Sequence, residues 1–473
     1  MLRITLCFVF VSGVFWPAGL ASQQERICDL LSSQEINSAG FTGTRVSYLS
    51  NPHFTCTDGT EIRADSSITY ESSGLTRLIG SVMFREGSEE LHSDDAEYYS
   101  SLGRLQAKGN VEVEDKMRGN IIIGDELSLL QESLGSPEDL MTVTGFPAYA
   151  ILTPPKQAMD ASMTYSSRID AKLLHFVGDR ILQATGDVTV KRDSLELYGD
   201  SLELFQDGSS TKLFSNAKIT YKHSTSGGPI NVNGDSVNML FSNNRLDLIQ
   251  SMGQAEATYG NGSIYGGLVD IYFKNEELER ISSIGALPSS SEQEPGDIQA
   301  TAIISDFTIT GDSIDLEFTG DRLVSVTAVG GARGASFPDG ASSLDQDYPF
   351  LQEDWIEGDT VVIVFSKPQD RDASDTIESD NEDTNIEQMT AVGRARSFFR
   401  RPVDTPINSD SISTTTMELN YVRGDEVKIF LTDGQVRQME VENAQGSFLQ
   451  PLPRADTATV TGVEINLSYK EDR

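Results

Sequence analysis

The chain has 473 residues, a formal charge of −36 and a pI near 4.3. A length well above one average domain allows a large core. Such an excess of acid makes nucleic acid an unfavourable partner and an anionic membrane surface an unfavourable resting place. Val, Ile, Thr, Tyr and Phe cluster in short runs punctuated by 40 Gly, which predicts an all-β protein.

At the N-terminus, Arg3 precedes an apolar run from Ile4 to Trp16, then Pro17 and small residues up to Ala21. This pattern predicts a signal peptide over residues 1–21, cleaved after Ala21, and an exported chain. Cys7 would leave with it. Cys28 and Cys56 remain, and an even pair in an exported protein predicts a disulfide. Residues 22–63 lack the alternating repeat that begins at Ala64. They read as a cap over a sheet edge, with a short helix over Gln24–Glu35 and a strand over Phe41–Leu49.

The organising stretch is Ser93–Val113, SDDAEYYSSLGRLQAKGNVEV. Apolar residues alternate at Ala96 and Tyr98. A turn follows at Ser101–Gly103, and alternation resumes through Leu105, Ala107, Gly109, Val111 and Val113. Period-two alternation on both sides of a Gly predicts a β-hairpin.

Degraded copies run from Ala64 onward. The run Leu182-Gln183-Ala184-Thr185-Gly186-Asp187-Val188 echoes Leu105–Val111. Gly-Asp recurs at Gly124, Gly199, Gly234, Gly311, Gly358 and Gly424, each time ahead of an alternating run, and Gly462–Leu467 reads as a last half unit. Gly supplies φ > 0 and Asp bonds its own backbone, so Gly-Asp reads as turn chemistry before a strand. Spacings of this size suit a repeat architecture. Residues 64–330 form the regular part. Residues 331–473 are looser. The largest insertions in the repeat are Pro288–Asp297, Ala332–Gln352 and the acidic loop 367–387. No ordered ligand spacing in that loop suggests calcium, and no Cys/His cluster suggests another metal.

Alternation places every second side chain on one face. The stacked copies then line one apolar stripe: Ala96, Tyr98, Leu127, Leu129, Met163, Tyr165, Leu202, Leu204, Val237, Met239, Val269, Ile271, Ile314 and Leu316. The stripe is either a core packed between two sheets or the lining of a groove for an apolar ligand, and composition does not separate these. His53, His92, His175 and His223 fall at unrelated places in the repeat. No nucleophile–base constellation or cofactor motif is visible, so the expectation is a protein that is not an enzyme.

The signature Asp-x-Ala-x-Tyr, a Gly turn, then Leu-x-Ala-x-Gly-Asn-Val resembles the OstA-like family of lipopolysaccharide-transport proteins, whose members include LptA, LptC and the N-terminal domain of LptD. The match is clearest at Ser93–Val113 and Leu182–Val188 and extends weakly from Ala64 to Asn466. The resemblance implies an elongated open β-jelly roll, V-shaped in section, of two facing antiparallel sheets built from repeated hairpins. It also implies a periplasmic bridge towards the outer membrane whose apolar groove holds lipopolysaccharide or a related lipid. Its partners would be other Lpt-type jelly rolls joined through edge strands, with self-association through the last strand near Ile465. The chain is far longer than one such domain, which suggests two or three fused. It has no C-terminal set of outer-membrane strands, and its late insertions interrupt the repeat. The competing reading is a structural or adhesive exported β-repeat protein with a closed core.

Overall fold

The computed structural model describes residues 28–57, 59–99, 102–131, 138–153, 166–222, 228–242, 245–285, 299–320, 322–336, 353–366, 385–406, 413–432 and 435–449. Outside these lie the leader with Cys7, Met163, Tyr165, His223, the insertion Pro288–Asp297, most of the acidic loop and the last half unit with Ile465. The described residues form 28 β-strands, and every register among them is antiparallel. The chain divides into two compact units, residues up to 111 with 126–141, and 112–125 with 142 onward.

The first unit holds β1 (Cys28–Ser32), β2 (Glu35–Ala39), β3 (Val46–Ser50), β4 (His53–Cys56), β5 (Glu61–Arg63), β6 (Ser66–Tyr70), β7 (Leu75–Glu86), β8 (Glu89–Tyr99) and most of β9 (Arg104–Asp115). The two halves of β7 have different neighbours. Leu75–Ile79 pairs with β6, whereas Met83–Arg85 pairs with β5. From there β5, β4 and β1 form one layer, A, while β6, β3 and β2 form another, B.

The expected helix over Gln24–Glu35 is corrected to strand: β1 and the start of β2 occupy its described part. Edge pairing with β4 satisfies the backbone of β1, which outweighs the local helical pattern. The expected strand over Phe41–Leu49 begins only at Val46, because Thr44 closes a turn onto the Phe41 carbonyl. Cys28 and Cys56 are register partners in layer A, with Sγ atoms 2.01 Å apart.

β10 (Asn120–Leu130) and β11 (Leu140–Leu152) each have residues in both units. The second unit continues with β12 (Ser167–Val177), β13 (Ile181–Arg192), β14 (Leu195–Phe205), β15 (Ser210–Tyr221), β16 (Ile230–Ser242), β17 (Arg245–Tyr259), β18 (Gly262–Lys274) and β19 (Glu277–Ile284). Then come β20 (Ala300–Ile304), β21 (Phe307–Gly311), β22 (Ser313–Thr319), β23 (Arg322–Ser336) and β24 (Asp354–Phe365). It ends with β25 (Ile386–Pro406), β26 (Ser413–Thr432), β27 (Gln435–Glu442) and β28 (Gln445–Leu449).

The same division recurs here. In β18, Gly262–Tyr265 pairs with β20 in layer A, while Leu268–Lys274 pairs with β19 in layer B. The halves of β23 pair separately with β21 and β22, and those of β26 with β28 and β27. Each long strand therefore crosses a corner from one layer into the other, and every described register joins A to A or B to B. The result is a jelly-roll-like, two-layered all-β fold. Residues Ala332–Ser336, expected in an insertion, belong to β23, and Ile386 and Glu387, expected in the acidic loop, begin β25.

The corner corrects the reading of Gly-Asp. Apart from Gly311-Asp312, these pairs are not turns before strands. Gly199-Asp200, Gly234-Asp235, Gly358-Asp359 and Gly424-Asp425 sit in mid-strand, where the register shifts, and Gly311-Asp312 joins β21 to β22 at the same corner. Opposite them, alternate strands carry two successive residues at positive φ, such as Gly109 (76°) and Asn110 (46°). That pair adds one residue to its strand. Thr185–Val188 spans three steps against two for Gly199–Ser201. This is a β-bulge, which bends the strand and increases its twist.

Gly109 is required twice over. Its φ is one that L-residues rarely adopt, and a Cβ there would lie 2.4 Å from the Asp94 carboxylate. That carboxylate accepts from Asn110 Nδ2 at 2.8 Å. Asp200 accepts likewise from Asn216, and Asp425 from Asn443. In this role the aspartates hold the corner rather than a turn.

Candidate functional site

The surface with the chemistry to do something is the one between the layers. In β13, the buried residues are Leu182 and Ala184 before the corner and Val188 and Val190 after it. In β14, they are Leu195 and Leu197 before, then Leu202 after. The bulged strand keeps one parity across the corner because its extra residue absorbs the bend. The strand opposite changes parity.

Of the positions expected to share one face, Ala96, Tyr98, Leu127, Leu202, Val237, Met239, Val269, Ile271, Ile314 and Leu316 are buried. Leu129 and Leu204 are half-buried near strand ends. Met163 and Tyr165 lie outside the described residues. The first unit thus contributes Ala96, Tyr98, Leu127 and Leu129, and the second gathers the series from Leu202 onward.

Part of the inward face was missed by sequence reasoning. The half-strand before the corner glycine also faces inward, through Leu195 and Leu197, Ile230 and Val232, Ile264, and Ile356. A signal was present: each run alternates up to the glycine, but on the opposite parity from the run after it.

The interior is apolar and close-packed. Met239, Ile249 and Ile271 have essentially no exposure. Two interior hydroxyls close to the corner are satisfied by backbone. Ser251 donates to the Asn233 carbonyl at 2.7 Å, and Ser283 to the Tyr265 carbonyl at 2.9 Å. Such pairing offsets the cost of burying a polar group.

The margin away from the corner is held differently. There the strand tips of A and B meet through side chains. In the second unit, Tyr221 of layer A stands edge-on to Phe273 of layer B, with ring centroids 5.4 Å apart. Tyr259 of A meets Phe318 of B at 5.9 Å. The Arg192 guanidinium of A lies 5.1 Å from the Phe241 ring of B. Burial pushes that guanidinium below its ordinary pKa, with Asp193 opposing. The first unit repeats the device within β7 and β8, where Phe84 of A and Tyr98 of B are 5.9 Å apart. One margin is therefore covalent and hydrogen-bonded, and the other, among the described residues, is closed by side-chain contacts.

The described histidines do not converge. His175 Nδ1 lies 2.8 Å from Thr142 Oγ1, His53 lies 3.7 Å from Glu61, and His92 lies 3.5 Å from Glu90. Among the described residues no group of three or more His, Cys, Asp or Glu is placed to hold a metal. Among them, too, no helix is long and apolar enough to cross a membrane, a statement that does not bear on β-strands.

No family model matches the chain, and no curated protein matches it. Among solved structures it is similar to LptH of Pseudomonas aeruginosa, described as the LptA-homologous periplasmic component of the lipopolysaccharide transport device. The alignment has 13% identity, covers 46% of this chain and 94% of that one, and has a TM-score of 0.15. A likeness at that TM-score carries no argument about function.

Proposed function

We propose that this chain is a non-enzymatic, exported carrier that receives the acyl chains of lipopolysaccharide or a similar glycolipid between its two layers. It would act in the periplasm, on the way to the outer membrane. The observation that carries the reading is the asymmetry of the two margins. The long strands run unbroken through the corner, whereas the opposite margin is closed by contacts such as Tyr221–Phe273, so parting it breaks no described register between layers. An acyl chain entering there would exchange one dry apolar contact for another, at little net cost. The headgroup would stay at the margin in water. The sequence signature at Ser93–Val113 supports the same reading.

The second reading is a scaffold with a permanently filled core, and the near-complete burial of Met239, Ile249 and Ile271 favours it. Photo-methionine separates the two. Met239 faces inward and Met252 outward on the neighbouring strand. Full-length protein carrying photo-methionine, irradiated with lipopolysaccharide, is expected to give lipid adducts on the peptide containing Met239 and not on that containing Met252. Adducts confined to Met252, or absent from Met239 at saturating lipid, would leave the scaffold.

A further inference from the structure

A second surface of the second unit is organised along its length, on the outside of layer B beside the corner. Phe214, Met252, Leu268, Ile284, Val329 and Val392 form one row. Each stands opposite the next in register or is separated from it by a single Ser or Thr. Register partners share a face. Phe214, Ile284, Val329 and Val392 are 41%, 44%, 45% and 45% exposed. From Phe214 to Val329 the row crosses six inter-strand steps, about 29 Å at ordinary strand spacing.

No charge interrupts it, in a chain whose net charge is −36. The next outward row towards the tips is polar throughout: Lys212, Asn238, Gln250, Asp270, Ser282 and Asp315. A contiguous apolar stripe rimmed by polar residues is how interaction sites differ from scattered surface apolar residues.

The flank at the corner identifies the partner's chemistry. Exposed Asp200, Asp235 and Asp312 run along that side. A second copy of this chain would bring acid against acid, and an anionic lipid headgroup would be repelled. We infer that the stripe docks an amphipathic protein segment with an apolar face and a lysine- or arginine-rich flank. Apolar side chains would cover Met252, Leu268 and Ile284, and the cations would meet the corner aspartates.

The probes are an 18-residue amphipathic Leu/Lys peptide and its Leu/Glu counterpart, titrated against the full-length chain. The Leu/Lys peptide is expected to bind, and the Leu/Glu peptide to bind at least tenfold more weakly. Ile284→Ser combined with Val329→Ser should weaken the Leu/Lys peptide by about tenfold or more. Asp235→Asn with Asp312→Asn should weaken it by about threefold and flatten its salt dependence. Thr310→Asp on the outer face of layer A should leave it unchanged. Hydrogen-exchange footprinting of the unmodified protein, with protection expected around residues 252, 268 and 284, keeps the test independent of how variants fold. Equal binding of the two peptides, indifference to the stripe variants, protection elsewhere, or a wild-type dimer that Ile284→Ser dissociates would each overturn the assignment.

Discussion

Tyr221 and Phe273 meet edge to face, with ring centroids 5.4 Å apart, although Tyr221 ends β15 in layer A and Phe273 lies near the end of β18 in layer B. Contacts of this kind close a margin that no described register closes. Edge-to-face pairs contribute about 0.5–1.5 kcal/mol beyond the area they bury. A double-mutant cycle of Tyr221→Leu and Phe273→Leu, read by urea denaturation, should give a coupling in that range. Amide exchange should rise at the tips of β15 and β18 before it rises at the corner. Additive effects would show that the rings do not hold the layers together.

Gly330 tests the corner. It has φ +83°, and a Cβ there would lie 2.1 Å from the Asp312 carboxylate. Gly320 has φ +56° but nothing within 4 Å of the same point. Gly320→Ala meets only the strain of a left-handed backbone, about 1–2 kcal/mol. Gly330→Ala meets that strain and must displace the carboxylate as well, so its denaturation midpoint should fall clearly further. Equal midpoints would show that the approach of Asp312 is not a constraint.

Glu196 supplies a pH dependence. Its Oε1 lies 2.8 Å from Lys222 Nζ, and this hydrogen bond, then the charge of Lys222, holds its pKa below the ordinary glutamate value. A depressed folded-state pKa gives stabilisation that is present above the unfolded pKa and lost as pH falls through the folded one. A carboxyl titration followed by NMR should place the Glu196 midpoint below the ordinary value. In Lys222→Met it should return upward. An unchanged midpoint in that variant would remove Lys222 as the cause.

The Cys28–Cys56 bridge ties β1, an edge of layer A, to β4 across a sequence separation of 28. Closing a loop of that size is worth about 2–4 kcal/mol against the reduced chain. Cys28→Ser with Cys56→Ser should lower the stability of the first unit by that amount, with loss of protection in β1 before β7. Identical denaturation curves with and without reductant would contradict this.

Phe146 shows where local reasoning stops. It stands at the corner of β11, where β9 carries Asn110, and it is 88% exposed. In the sequence, Val143, Gly145 and Ala148 read as the run that follows the Gly124-Asp125 copy. Nothing local says that the residue between would project into solvent.

The all-β class, the hairpin of β8 and β9, the pairing of Cys28 with Cys56, and the inward face of Leu202, Val237, Met239, Val269 and Ile314 were all legible in the chain. Each rests on near-neighbour chemistry: side chains alternate every two residues, glycine accepts φ > 0, and an even cysteine pair closes. Leu195, Ile230 and Ile264 escaped because alternation defines a face only as far as the next bulge, and the bulge reverses parity on one strand of each pair. The helix expected before Cys56 gave way to an edge strand for a related reason, since backbone pairing with β4 is not a local property. Which half-strands share a layer, which tips meet across the margin, and that Phe214, Met252, Leu268 and Ile284 line up outside all depend on register between strands. Register is fixed by the whole sheet at once, so only the folded molecule could decide it.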